Sequence, residues 1–382
     1  LPELIHLEVS NCQLDGLFNP DWINEFKKLN KLQISSNNLN SFGRKQFRLN
    51  TNIRVVQITG NNFNKNIREL LYSITNLLGQ NMGVLELSAN NFELIDLNDL
   101  FLLSNLETLD LSKNNLKTLP NGYSKHLAKL VYLDLSDNQL SDVEELYETE
   151  KMTRLSNLLL NQNNYNQYPN MTRLPKITSF FFDNQNGGKI NQLEDYFIDE
   201  NFFYLLSIAD NSLTGIGNKS FCSHYSNKAL LSIRISYNTF KKFNKCFFRQ
   251  LSERGNTQTV IFVIDFKAEL DSTGNEIMPE FCNCNFLNYS SSKDVLLKFN
   301  TNKLEKICSK IDLKCDSYNQ TQNEIDCENA SQYACEAKYM VATTEETMPT
   351  KTSTLTAFNG SNRYRFNIFL SILLFFLEIN FL

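Results

Sequence analysis

Leu106-Glu107-Thr108-Leu109-Asp110-Leu111-Ser112-Lys113-Asn114-Asn115-Leu116 and Leu130-Val131-Tyr132-Leu133-Asp134-Leu135-Ser136-Asp137-Asn138-Gln139-Leu140 are two copies of one pattern, Leu-x-x-Leu-x-Leu-x-x-Asn-x-Leu. Outward from them, pattern starts fall at Leu4, Leu29, Ile53, Met82, Leu106, Leu130, Leu155, Ile177, Phe203 and Leu230, at intervals of 22 to 29 residues. A recurring period of roughly 20–50 residues marks stacked repeat units rather than one compact core. The chain of 382 residues would be long for a single core, but a stack grows in one dimension and has no such limit.

Each unit has a mechanical logic. Leu109 and Leu111, like Leu133 and Leu135, alternate with polar residues at period two, which predicts a short strand with one buried face. One such strand cannot bury its apolar side alone, so neighbouring units must stack. The Asn comes where the strand ends and the chain turns inward. Its amide both donates and accepts, so it can pair backbone groups that would otherwise be buried unsatisfied. The reading is a ladder of Asn37, Asn61, Asn90, Asn114, Asn138, Asn163, Asn211 and Asn238, structural in role. The unit at Ile177 departs from the pattern. Phe180 and Phe182 fit the strand, but Gln185 stands at the Asn position and Gly187 at the following Leu.

These residues resemble the leucine-rich repeat superfamily, in its extracellular type with a C-terminal cysteine cap. The resemblance covers about residues 1–265, or about ten repeats. It implies an α/β solenoid: a curved horseshoe with a parallel β-sheet on the concave face. Phe47, Phe221 and Phe248, each ten residues after a ladder Asn, resemble the phenylalanine spine of the family's convex side. Cys12 occupies a ladder position, where the family also accepts Cys, and is expected to be a buried free thiol. Phe281-Cys282-Asn283-Cys284 with later cysteines resembles the family's cap, placing a capping domain at 266–338. The resemblance implies Cys282 paired with Cys308, and Cys284 with Cys315 or Cys327; the second choice leaves Cys315 with Cys335. Cys222 and Cys246 lie one repeat apart and are candidates for a bond between adjacent units. Clustering of eight of the nine cysteines late in the chain points to an oxidising compartment. A zinc site at Cys282-x-Cys284 is the weaker reading, because structural zinc ligands are usually spaced more widely and no His lies nearby. No metal or cofactor is expected.

The chain enters a repeat almost at once, with neither an N-terminal cap nor a signal peptide in view. The expectation is a truncated or processed form, the rival being an uncapped cytosolic protein. Six Asn-x-Ser/Thr sequons stand at Asn170, Asn218, Asn288, Asn319, Asn329 and Asn359, glycosylation candidates if the chain is secreted. Residues 339–361 are rich in Thr with little that packs, and read as a disordered, extended stalk. Residues 362–382 end in an apolar run, Phe366 to Leu382, that carries Glu378. It is short for a membrane span, which needs about 20 apolar residues. With the small triplet Asn359-Gly360-Ser361 it reads as a glycosylphosphatidylinositol signal, Asn359 being the attachment residue, although the polar spacer is short. A single-pass span is the alternative. Either places the protein on the outer face of the plasma membrane.

A formal net charge of −5 argues against a nucleic-acid partner, for which a basic face is expected. No phosphate-cradling loop, nucleophile elbow or His-Glu-x-x-His run occurs, so an enzyme is not expected. Function should lie on the strand-lined concave surface. Alternate strand residues point out of the core there: Glu8, Gln33, Gln57, Glu86, Asp110, Asp134, Leu159, Phe181, Ser207 and Arg234 form one row. A neighbouring row adds Tyr132, Asn157, Ser179 and Leu205. Adjacent exposed apolar side chains suggest a contact patch, centred on Tyr132, Leu159, Phe181 and Leu205 and flanked by Asp110, Asp134 and Arg234. The rival for Phe181 is burial in a distorted unit. The expected role is recognition of a protein ligand, as an adhesion or receptor ectodomain without its own signalling domain. A structural surface coat or matrix-binding glycoprotein is the alternative class. Pairing of two copies is left open.

Overall fold

The computed structural model describes residues 3–19, 23, 25–43, 52–63, 67–78, 81–96, 103–174, 176–188, 190–194, 197, 204–217, 220, 232–235, 238, 260–263 and 295–298. Its strands, in chain order, are β1 (His6–Glu8), β2 (Asp15–Phe18), β3 (Lys31–Gln33), β4 (Asn38–Phe42), β5 (Val55–Gln57), β6 (Val84–Glu86), β7 (Thr108–Asp110), β8 (Tyr132–Asp134), β9 (Asn157–Leu159), β10 (Ser179–Phe181), β11 (Gln192–Leu193), β12 (Leu205–Ser207), β13 (Gly215–Ile216), β14 (Ser232–Arg234), β15 (Val260–Val263) and β16 (Val295–Lys298). Twelve of them form one sheet in the order β1-β3-β5-β6-β7-β8-β9-β10-β12-β14-β15-β16. Every pairing in it is parallel, and equivalent repeat positions lie side by side: Leu109 beside Leu133, Leu133 beside Leu158. The parallel row predicted from the period-two residues is thus present. The strands β15 and β16 extend it beyond the ten pattern starts, β16 lying within the span 266–338 read as a cap.

The core is the predicted one. The central residue of each large-sheet strand from Leu32 to Ile233 is buried, as are Leu29, Leu87, Leu106, Leu111, Leu130, Leu135, Leu155 and Leu160, which open or follow such strands. The residue just before each rung of the ladder takes a left-handed backbone: Ser36, Gly60, Ala89, Lys113, Asp137, Gln162, Asn184 and Asp210 all have φ between 53° and 63°. That conformation costs an L-residue roughly 1–2 kcal/mol, and here it turns the chain inward at the strand's end.

The rung offsets the cost. Asn114 Oδ1 accepts from the backbone N–H of Asn90 (2.9 Å) and of Phe92 (3.1 Å) in the preceding unit. Its Nδ2 donates to the carbonyls of Leu87, Leu111 and Ser112. Asn138, Asn163 and Asn238 repeat this arrangement. Gln185 keeps the ladder going: its Nε2 donates to Leu160 O at 2.9 Å. Its longer side chain leaves Oε1 buried without a partner. Gly187 is explained by space, since a Cβ there would sit 1.6 Å from the backbone oxygen of Asn164. The unit that departs from the pattern is therefore a close backbone approach.

Unit length varies on the side away from the large sheet. The 29-residue interval from Ile53 to Met82 holds the helix α1 (Ile67–Leu78), which buries Ile67, Leu70, Leu71 and Ile74, one stripe at helical spacing. Shorter units carry 3-10 turns instead, such as Tyr123–Lys125 and Met171–Arg173. Two short parallel pairs, β2 with β4 and β11 with β13, add to this side.

Cys12 corrects one expectation. It is exposed, its Sγ donating to Ser10 O and its backbone N–H to Asn37 Oδ1. Among the described residues no unit packs on its outer side, so the ladder position is not covered there. Phe47, Phe221 and Phe248, the eight later cysteines (Cys222, Cys246, Cys282, Cys284, Cys308, Cys315, Cys327 and Cys335), and the stalk and tail at 339–382 lie outside the described residues. No helix among the described residues is long and apolar enough to cross a membrane.

Candidate recognition face

The face of the sheet opposite the core is built by register. Each three-residue strand sends its middle side chain inward and its two outer ones to the other face. Parallel pairing in register then stacks these into two rows. One runs Glu8, Gln33, Gln57, Glu86, Asp110, Asp134, Leu159, Phe181, Ser207, Arg234. The other includes Thr108, Tyr132, Asn157, Ser179 and Leu205. The structure thus brings the predicted residues together on one face, successive members about 4.8 Å apart, the spacing of neighbouring strands.

The acidic end is graded. Gln33 Nε2 donates to Glu8 Oε1 at 3.1 Å, and Gln57 Nε2 to Glu86 Oε2 at 2.6 Å. Burial raises the Glu86 carboxyl above its ordinary value; the Gln57 hydrogen bond opposes this and the nearby Asp110 adds to it. Asp110 and Asp134 have no such amide beside them. Each uses Oδ1 to accept from the backbone N–H two residues on, Ser112 at 2.8 Å and Ser136 at 2.9 Å, which fixes the strand's exit turn. These aspartates therefore serve the fold with one oxygen and present the other to the face. Asp134 is pushed up to about 6, by burial first and by the Asp110 charge second, against the Ser136 and Tyr132 hydrogen bonds. Burial and the Asp134 and Asp110 charges push the Tyr132 hydroxyl well above its usual range, so it stays protonated and donates to Asp134 Oδ2 at 3.4 Å.

The apolar middle is partly as expected. Tyr132, Leu159 and Leu205 are half-buried, with part of each side chain open to a partner. Phe181 is not: it is 7% exposed. It stays outside the continuous core cluster that holds Phe180 and Phe182, and its register places it beside Leu159 and Ser207. Ser179 and Ser207 are buried as well. The expectation of an exposed Phe181 is thus corrected to a covered ring on the face side, because β10 is buried on both faces.

Sequence reasoning missed Asp183, which lies two residues past Phe181 where other units have Ser112 or Ser136. Its carboxylate accepts the single Ser207 hydroxyl proton, with Oγ 2.8 Å from each oxygen, and the Ala209 N–H at 2.7 Å. Burial lifts it to about 6 against those hydrogen bonds and the nearby Arg234 charge. The only signal for it in the sequence was a charged residue in a row of hydroxyls. Arg234 follows Ser207 in the row, and the sheet continues past it to Val263 of β15 and Lys298 of β16. Among the described residues no group of His, Cys, Asp and Glu side chains could hold a metal ion.

Of the glycosylation candidates, Asn170 is described and exposed, capping the turn Met171–Arg173. Asn218, Asn288, Asn319, Asn329 and Asn359 lie outside the described residues.

Residues 104–148 match the family model described as leucine rich repeats (2 copies). Those two units are leucine-rich repeats. The same rungs, turns and strand register run on either side of the matched stretch. Comparison with curated proteins finds no match. Among solved structures, a chain of the octameric complex of Latrophilin 3 (Lec, Olf), Unc5D (Ig, Ig2, TSP1) and FLRT2 (LRR) aligns with a TM-score of 0.53 at 16% identity, covering 78% of this chain and 84% of that one. The TLR13–ssRNA13 complex aligns with a TM-score of 0.46 at 18% identity, covering 78% and 50%. An internalin C2 from Listeria monocytogenes aligns with a TM-score of 0.31 at 21% identity, covering 42% and 72%. At 16% identity, the Latrophilin 3–Unc5D–FLRT2 likeness is one of fold: a parallel leucine-rich repeat sheet of many strands.

Proposed function

We propose that this chain is a non-catalytic recognition module of the outer cell surface, an adhesion or receptor ectodomain without its own signalling domain. In this reading the sheet curves so that its face opposite the core is concave, and that face grips a protein ligand. The observation that carries the reading is the register. Half-buried Tyr132, Leu159 and Leu205 sit between acidic side chains at Glu86, Asp110 and Asp134 and the basic Arg234 on the later strand β14. Protein contacts concentrate binding energy in such central aromatic and aliphatic anchors with a polar surround, while charges of opposite sign on either side orient the partner. Fold alone does not name the ligand.

The anchor belongs to the same proposal. The Asn359-Gly360-Ser361 triplet and the apolar tail would place the protein on the outer leaflet through a glycosylphosphatidylinositol. Disulfides among the eight late cysteines would close the last unit of the stack. Two experiments test the reading. Phosphatidylinositol-specific phospholipase applied to intact cells bearing the full chain should release it into the medium; retention would reject the lipid anchor. Avid multimers of the released protein should stain partner-bearing cells saturably, and Leu159→Ser with Leu205→Ser should abolish that staining without lowering secretion. Unchanged staining would reject the patch, and diffuse, salt-sensitive staining would favour the coat-like alternative.

A further inference from the structure

A second feature lies on the side of the units away from the large sheet. A cleft of about 570 Å³ opens among the outer segments of three successive units, lined by residues from Tyr147 to Phe197. That volume lies within the roughly 300–1,000 Å³ of small-ligand sites. Most of its lining is polar, with a smaller apolar part supplied by Tyr168, which is half-buried, and by Ile190 and Phe197, which are buried; Tyr168 meets Phe197 edge to face with ring centroids 5.3 Å apart. The rim is polar and exposed, formed by Asn166, Gln192 and Glu194. That apolar part and the amide-and-carboxylate rim match a pyranose, which presents a C–H face on one side and hydroxyl and acetamido groups around its edge.

The sequon residue Asn170 stands in the wall of this cleft, held there by three bonds. Its backbone N–H donates to the Tyr147 hydroxyl at 2.8 Å, and that ring is in turn covered by the Arg173 guanidinium at 3.8 Å. Its Oδ1 accepts from both the N–H (3.1 Å) and the hydroxyl (2.8 Å) of Thr172, the third sequon residue. With both lone pairs of Oδ1 engaged, the amide plane is fixed. Nδ2 has no acceptor among the described residues, and Asn170 is exposed.

We infer that Asn170 carries an N-linked glycan whose first N-acetylglucosamine residues lie in the Tyr168–Phe197 cleft rather than in solvent. The linkage forms between Nδ2 and the sugar C1. The C1–O bond to a lipid-pyrophosphate oligosaccharide donor breaks, lipid pyrophosphate leaves, and the amide gives up one proton. The inference rests on passage of the chain through the secretory pathway, which the proposed function also requires. Seated there, the sugar would cover the apolar part and join neighbouring units on the side opposite the recognition face.

The test uses the full chain expressed with a secretory leader. Mass spectrometry reads occupancy at each sequon, and peptide-N-glycosidase release is timed on native and on denatured protein. Asn170 should be occupied, and its release should be slower in the native protein by about tenfold, the ratio that about 1.4 kcal/mol of contact gives. Gln192→Ala with Glu194→Ala, both on the exposed rim, should shrink that ratio without altering secretion. An empty Asn170, whether or not other sequons are occupied, overturns the inference and leaves the surface reading standing, since that reading is tested separately by phospholipase release and cell staining. An occupied Asn170 released equally fast from native and denatured protein puts the sugar in solvent and overturns the inference.

Discussion

Replacing Asn138 by Ala removes one rung of the ladder. The side chain is 7% exposed; Nδ2 donates to Leu111 O and Leu135 O at 3.0 Å each, and Oδ1 accepts from Leu116 N–H at 3.0 Å. The carbonyls are not abandoned by the change. Leu111 O keeps the donor Asn114 Nδ2, and Leu135 O keeps Asn163 Nδ2. The loss falls on the Leu116 N–H, a buried donor with no other partner among the described residues, which costs about 1–3 kcal/mol. Three weakened carbonyls, Ser136 O at 3.2 Å included, add about 0.5 kcal/mol each, so the expected destabilisation is about 2.5–4.5 kcal/mol. Gln139→Ala is the control: Gln139 is exposed and makes one long bond of 3.4 Å to Asn115, so its effect should stay within about 0.5 kcal/mol. Urea unfolding followed by far-ultraviolet circular dichroism gives the difference, and hydrogen exchange of the Leu116 amide locates it. If Asn138→Ala shifts the midpoint no further than Gln139→Ala, the ladder is not what closes each turn.

Other outcomes follow from the same structure. Burial holds the Asp134 carboxyl at about 6, above the roughly 3.9 of an unfolded chain. The folded state therefore binds that proton more tightly, and the residue's contribution favours folding below about pH 4 and is lost as pH rises through about 6. Asp134→Asn should raise the urea midpoint above about pH 7 and leave it unchanged near pH 4; a gain that is the same at both values would refute the assignment. Gly187→Ala forces a Cβ against the backbone of Asn164 and should cost about 1–3 kcal/mol or more; an unchanged melting temperature would show that the close approach relaxes freely. Phe180→Ala empties a fully buried ring stacked on Phe182 at 5.6 Å and should cost about 3–5 kcal/mol, whereas Leu159→Ser, half-buried on the open face, should cost far less. Equal losses for these two would mean that the two faces of β9 and β10 are wrongly assigned.

The stacked strands were legible because their physics is local and repeated. Leu109 and Leu111, with Asn114 three residues beyond, specify a strand, its buried face and its exit turn within six residues, and every complete copy says the same. Register follows without further information, since only one alignment puts each Asn against the preceding unit's free N–H groups. The strands β15 and β16 were harder to see. Lys267 stands five residues after Phe262, where an Asn rung would be expected, and 35 residues separate Phe262 from its partner Leu297. The open face was legible as two rows of residues but not as a surface. Alternation places Phe181 beside Leu159, yet its burial depends on packing around β10 that no spacing encodes. The Asp183 network needed the register as well: Asp183 and Ser207 are 24 residues apart in sequence and meet only because β10 and β12 lie side by side. The Tyr147–Asn170–Thr172 arrangement likewise joins the outer segments of successive units, the part of each repeat whose length and composition vary most.

Engineered cysteines at Thr108 and Tyr132 test the stacking most directly. The two positions face each other across β7 and β8, and neighbouring strands place their Cα atoms within the roughly 4.4–6.8 Å that a disulfide spans. Oxidation of the folded double variant should join the two peptides, as mass spectrometry would record, while a Thr108 and Asn157 pair, two strands apart, should stay unlinked. Efficient bonding of the distant pair, or none between the adjacent one, would contradict a parallel sheet built one repeat per strand.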